Sequence, residues 1–156
     1  MEIEFLANRS DAIPIIGRWY NLEWGRRFQD ETEEQSIEKL NQYLNTDRLP
    51  LILVATDGTK ILGAAQLKYR EMEDIFPEKE HWLGGVFVAP EQRGCGIGER
   101  LVQEIVLLAS SHGVCTLHLQ TEQLDGGLYR KMGWHPVQQV DNHGIRVVVM
   151  EWQVGA

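Results

Sequence analysis

Six consecutive residues, Arg93-Gly94-Cys95-Gly96-Ile97-Gly98, have the types and spacing to bind phosphate. They follow the apolar run Val86-Phe87-Val88 and Pro90, and they open into an amphipathic stretch that begins at Ile97. A strand, a glycine-rich turn and a helix in that order leave the first-turn amides without intrahelical partners, and the helix macrodipole adds partial positive charge. Phosphate oxygens are favoured at such a place. The three glycines let the backbone approach a pyrophosphate closely and take positive φ where the turn requires it. A phosphorylated cofactor is therefore expected on the amides of Gly94, Cys95, Gly96, Ile97 and Gly98.

Spacing separates the phosphate-binding motifs from one another. Walker A needs Gly-Lys-Ser/Thr after the glycines, and none follows here. The dinucleotide fingerprint Gly-x-Gly-x-x-Gly breaks at Glu99 when read from Gly94 and at Leu101 when read from Gly96. The pattern Arg-x-x-Gly-x-Gly remains, from Arg93 to Gly98. Downstream, Leu128-Tyr129-Arg130-Lys131-Met132-Gly133-Trp134 reads as a short helix that carries a tyrosine and ends in glycine and an aromatic. Together, and one helix and one strand apart, these two segments resemble the acyl-CoA and tyrosine motifs of the GNAT N-acetyltransferase superfamily. The resemblance covers residues 82–140. One departure stands out: Thr121-Glu122-Gln123-Leu124-Asp125-Gly126-Gly127 is a compact connection without the asparagine common in that family. Thr121 and Asp125 are the candidates to replace its contacts.

The resemblance implies acetyl transfer from acetyl-CoA to an amine, with no metal. The diphosphate would lie on Gly94–Gly98, with Arg93 adding charge or ordering the loop. Pantetheine is peptide-like and would pair with exposed backbone of Val86, Phe87 and Val88 and of Val114–Gln120, next to Thr121. A strand N–H near Phe87 or Val88 would stabilise negative charge on the thioester oxygen. Tyr129 matches the family's general acid: a phenol of pKa about 10 is protonated at neutral pH and can donate to a thiolate whose acid has pKa of about 8.5. A base must also relieve the arriving ammonium of a proton. Glu80 is the preferred candidate, because it sits closest to the strand that should hold the thioester; Glu73, His81 and Glu23 are the others. A non-catalytic acyl-CoA-binding sensor is the competing reading, and intact Tyr129 argues for the enzyme.

Composition narrows the partners. Net charge is −8, which disfavours nucleic acid and favours a cationic amine acceptor. The stretch from Glu71 to Glu80 concentrates acid, and its plain reading is a solvated loop. No apolar run approaches the roughly 18–20 residues that span a bilayer. The N-terminus shows no signal-peptide pattern, and Cys95 and Cys115 do not resemble a disulfide framework, so a cytoplasmic setting is expected. The oligomeric state stays open, a homodimer included. His112, Cys115 and His118 tempt as zinc ligands, but Cys115 and His118 fall on opposite faces of a strand.

The elements that must position these groups follow from periodicity. One domain over residues 1–156 is expected. Residues 2–6 suit an edge strand. Residues 11–24 suit a helix with Pro14 in its first turn, and its Trp19, Tyr20 and Trp24 belong either to core or to an acceptor pocket. Thr32-Glu33-Glu34-Gln35 reads as a capping box opening a helix to about Asn45. Leu51–Ala55 and Ile61–Leu67 form a hairpin at Asp57-Gly58, with Gly63 at a bend or close contact. Gly84-Gly85 inside the strand Trp82–Val88 marks a bulge, a backbone-bound ligand or a packing bend. The helix from Ile97 closes at Gly113, and the strand after it makes a parallel pair with Trp82–Val88 by a right-handed crossover. A hairpin from Trp134 to Trp152 ends the chain. The whole predicts an α/β (α+β) fold of GNAT type: a mixed, mostly antiparallel sheet of six or seven strands with a central splayed parallel pair, flanked by about four helices.

Overall fold

A computed structural model describes residues 1–155. Its seven strands form one sheet in the order β1-β2-β3-β4-β5-β7-β6. These are β1 (Glu2–Phe5), β2 (Leu51–Asp57), β3 (Lys60–Tyr69), β4 (His81–Val88), β5 (Thr116–Thr121), β6 (His135–Asn142) and β7 (Ile145–Gln153). All neighbours are antiparallel except β4 and β5. Among the described residues no helix is long and apolar enough to cross a membrane.

β2 is an unbroken apolar run because both of its faces are covered. Leu51, Leu53 and Ala55 face α4 (Ile97–Ser111) and join its buried Ile97, Leu101, Val102, Ile105 and Ala109. Ile52 and Val54 face the other way, toward Ile16 and Tyr20 of α1 (Ile13–Tyr20) and toward Leu40. A third cluster, Met72, Phe76, Trp82, Val147 and Val149, fills the corner between the β3–β4 connection and β7. The acidic stretch 71–80 is therefore anchored rather than simply solvated: Met72 and Phe76, four residues apart, turn inward while Glu73, Asp74, Glu78 and Glu80 stay exposed.

The helices follow their signals with two differences. Pro14 lies in the first turn of α1, but the predicted single helix over 11–24 widens at Asn21–Gly25 into a π turn and ends as α2 (Arg26–Phe28). Asn21 is buried there, and its Nδ2 donates to the Glu31 carbonyl at 2.7 Å and to Ser36 Oγ at 3.2 Å. The wider turn shifts the helical phase, a change that recurs at functional sites. α3 (Glu33–Lys39) starts at the expected capping box, Gln35 N to Thr32 Oγ1 and Thr32 N to Gln35 Oε1. It tightens to a 3-10 turn over Leu40–Tyr43 instead of staying α-helical to Asn45. α5 (Gly127–Lys131) carries Tyr129.

The paired glycines of β4 sit at a bulge. Gln66 of β3 opposes Gly84 and Ala64 opposes Phe87, so one residue of β3 faces two of β4. Gly85 has φ +54°, in the left-handed region, and a Cβ there would lie 2.6 Å from the Gln66 amide. β4 and β5 are paired at one register position, Trp82 opposite His118, and splay beyond it. His118 packs against the Trp82 ring at 5.5 Å, with Nδ1 3.3 Å from the His81 carbonyl and Nε2 3.5 Å from the Glu151 carboxylate.

Burial, reinforced by the charge of Lys79, holds the His118 pKa below the usual histidine range. The unfolded chain, with its imidazole near pKa 6.5, takes up the proton more readily. The stability this residue contributes is thus complete above about pH 6.5 and is lost as the pH falls through the depressed native value. His118→Gln should flatten the decline of the urea midpoint between pH 7 and pH 5; an unchanged decline would assign the acid sensitivity to other groups.

Candidate active site

Beyond the single β4–β5 bridge the sheet opens into a cleft of about 1070 Å³. Three regions wall it. Tyr20, Glu23 and Trp24 come from α1 and the π turn. Gln66 and Lys68 of β3, Glu71, and Gly84, Gly85 and Val86 of β4 form the floor. Gln120 and Thr121 of β5, Tyr129 of α5, and Asn142 and His143 at the tip of the β6–β7 hairpin close the far side.

The glycine loop lies at the entrance to α4. Gly94 and Gly96 both have φ +82°, and a Cβ added to either would meet nothing within 4 Å. They are glycines because the turn needs left-handed backbone, and they leave the approach to α4 open. The Gly96 carbonyl accepts from Arg100 N at 3.0 Å, the first bond of the helix, and no side chain caps its N-terminus. Arg93 is partly committed: its Nε donates to the Val88 carbonyl at 3.0 Å, and its guanidinium lies 5.3 Å from the Phe87 ring centroid. It orders the loop against β4. Cys95 is exposed, with its Sγ 3.9 Å from the Arg93 carbonyl. Ile97 is buried under the helix start, and Gly98 packs near Val88 and Leu128.

Phe87 links this loop to α1 and the π turn. Trp19 stacks on it at 5.1 Å between centroids, and Trp24 meets it edge-on at 6.5 Å. The aromatic stripe of α1 therefore divides: Trp19 packs on the sheet, while Tyr20 and Trp24 also line the cleft.

The polar floor is a chain of contacts that spans the splay. Lys68 Nζ lies 2.8 Å from Glu71 Oε1. Gln120 Nε2 donates to Glu71 Oε2 at 2.9 Å, and Asn142 Nδ2 donates to Gln120 Oε1 at 2.9 Å. Gly84 makes room for it, since a Cβ there would stand 2.7 Å from Glu71 Oε1. Burial opposes the charge on Lys68, but the Glu71 carboxylate and the neighbouring Tyr43 outweigh it and hold the pKa above the usual lysine range. Tyr129 is pushed up to about 12, first by burial and then by the charge of Glu71. Its phenol stays protonated across neutral pH.

The sequence-selected residues separate on this map. Tyr129, Val86, Thr121 and Glu23 line the cleft. Phe87, Val88, Arg93 and the glycine loop form the shoulder between cleft and α4. Thr121 Oγ1 and Asp125 Oδ1 accept from Gln123 N and Gly127 N, so both shape the β5–α5 turn that replaces the missing asparagine segment. Glu80 stands apart. It precedes β4 with its carboxylate about half exposed, 4.0 Å from His81, and neither it, Glu73 nor His81 lines the cleft. Glu71, Lys68, Gln66, Gln120 and Asn142 are the cleft residues that sequence reasoning missed. The inward Met72–Phe76 spacing was the available signal that Glu71 is held against the sheet.

A family model for the GNAT acetyltransferases matches residues 15–134, and the chain belongs to that family. A comparison with curated protein sequences finds no match. Among solved structures, an aminoglycoside 6'-acetyltransferase type Ii superposes with TM-score 0.75 at 21% identity, covering 99% of this chain and 97% of that one. An aminoglycoside 6'-N-acetyltransferase complexed with coenzyme A gives TM-score 0.75 at 18% identity over the same shares. The putative acetyltransferase yncA of Salmonella typhimurium, solved with acetyl-CoA, gives 0.72 at 18%, covering 99% and 94%. At these identities the likeness is one of fold.

Removing the charge at Glu71 should bring the Tyr129 pKa down. In Glu71→Gln the phenolate absorbance assigned to Tyr129, by difference against the matching Tyr129→Phe protein, should appear at lower pH than in the parent. The fall is partial, because burial is the larger cause. A midpoint that stays or rises would separate the two residues electrostatically.

Proposed function

We propose that this protein is an N-acetyltransferase that moves an acetyl group from acetyl-CoA to a primary amine by direct attack. The observation that carries the reading is the convergence on one splay: open glycine amides at the start of α4, unpaired strand backbone, and a half-buried phenol facing the same cleft. Family membership supports it. Acetyl-CoA supplies an acyl thioester, activated toward amines.

The chain's own groups have distinct work. Amides of Gly94–Gly98 meet the diphosphate, with Arg93 holding their loop. Backbone of Val86–Val88 and Thr121 meets the peptide-like pantetheine, and a strand N–H near Phe87 or Val88 steadies the thioester oxygen as it gains charge. Tyr129 gives its proton to the departing thiolate. Burial suits it to that role, since the phenol remains loaded with its proton at every physiological pH. Glu71 replaces Glu80 as the acceptor-side carboxylate: it faces the cleft, its charge reaches Tyr129, and it takes the ammonium proton as the nitrogen lone pair is freed.

The acceptor is cationic. Glu23, Glu31, Glu71, Asp74 and Glu122 line the cleft against Arg27, Lys39 and Lys68, so acid exceeds base. Lys39 is held by Glu31, Lys68 by Glu71 and Arg27 by Glu23, which leaves Asp74 and Glu122 as the excess acid that attracts positive charge.

The test is thiol release from acetyl-CoA across a panel of amines. Wild type should turn over, best with polycationic acceptors. Tyr129→Phe should lose about 10²-fold or more in kcat, the usual worth of a positioned acid, while calorimetry shows coenzyme A affinity retained. Coenzyme A binding by wild type without turnover on any amine would instead make the protein an acyl-CoA sensor.

A further inference from the structure

We infer that Tyr20 is a positioning residue for acetyl transfer: its hydroxyl holds the β4 bulge and thereby aims the strand amides beyond it at the thioester. The inference rests on the acetyl-transfer reading and adds to it a residue from the acceptor side of the molecule.

Tyr20 is the last residue of α1, buried, and outside the glycine and tyrosine motifs. Its Oη donates to the Gly85 carbonyl at 2.7 Å. That carbonyl belongs to the residue at φ +54° where β4 leaves register with β3. A bulge bends its strand and increases the local twist. Here the bend falls between the bridge at Trp82 and the segment Val86–Val88, where the sheet splays. The bonded geometry is tight. A Cβ at Gly85 would stand 2.6 Å from Gln66 Nε2 and 2.8 Å from Tyr20 Oη. Gln66 Oε1 is buried without a hydrogen-bond partner, so the bulge sits against an unsatisfied acceptor and the Gly85 carbonyl takes its bond from Tyr20.

The same residue is tied to the acceptor wall. Its ring lies 5.5 Å from Trp24 in the π turn, and Trp24 meets Phe87 of β4. Tyr20 acts through Gly85, and it joins the helix that lines the acceptor cleft to the strand that presents the thioester.

Two variants separate the hydroxyl from the ring. Tyr20→Phe keeps the packing against Trp24 and removes the bond to Gly85; Tyr20→Leu removes both. The expected result is a fall in kcat of about 10- to 100-fold in Tyr20→Phe, the scale of a misplaced reacting geometry, with coenzyme A affinity and melting temperature near those of wild type. A readout free of turnover is the amide resonances of Val86, Phe87 and Val88. In wild type they should shift further with acetyl-CoA than with coenzyme A, and in Tyr20→Phe that difference should vanish. The inference is overturned if Tyr20→Phe matches wild type in kcat and in the shift difference, if only Tyr20→Leu is impaired, or if wild type shows no shift difference. A wild type that shows the shift difference, lost in Tyr20→Phe, but acetylates no amine overturns the acetyl-transfer reading and leaves Tyr20 only as the residue that aims the strand amides at the thioester.

Discussion

β4 is laddered to β3 along its length on one side and bridged to β5 at one position on the other. Every ligand-facing feature of the molecule depends on that imbalance. A backbone that leaves its ladder must find other partners for its polar groups. In this protein Tyr20 takes the Gly85 carbonyl and Arg93 takes the Val88 carbonyl. Both partners come from segments beside the cleft, α1 and the glycine loop. The strand is thus held open by the two elements that would contact the two substrates.

The cleft chemistry grows from the same geometry. A complete β4–β5 ladder would leave no gap for the Lys68–Glu71–Gln120–Asn142 chain to span. A buried ion pair is weak evidence of stability, since desolvation offsets much of the attraction. Its worth here is local. It fixes a carboxylate over Gly84, where no side chain intervenes, and sets a negative charge near the one phenol that α5 delivers to the cleft. Phe87 ties the halves together, with Trp19 and Trp24 on one side and the Arg93 guanidinium on the other.

What was legible in the sequence was what local physics dictates. The capping box at Thr32, the hairpin at Asp57-Gly58, the glycine turn before α4 and the Gly84-Gly85 bulge each depend on residues a few positions apart, and each stands where the spacing put it. The order of the two motifs gave the family. That Glu71 rather than Glu80 lines the cleft was not legible. Glu80 and Glu71 flank the same acidic stretch, and only the tertiary packing of Met72 and Phe76 under Trp82 decides which end turns toward the cleft. The bond from Tyr20 to Gly85 spans 65 residues and leaves no periodic trace. The π turn escaped too, since its extra residue is accommodated by Asn21 reaching Glu31 and Ser36 in a later segment.

The most direct measurement is a crystal structure of the protein with acetyl-CoA. The account predicts the diphosphate on the main-chain amides of Gly94 to Gly98, the pantetheine arm in the gap between β4 and β5, and the sulfur within hydrogen-bond reach of Tyr129 Oη. A coenzyme seated anywhere else, or a sulfur turned away from Tyr129 with the gap left empty, would contradict it.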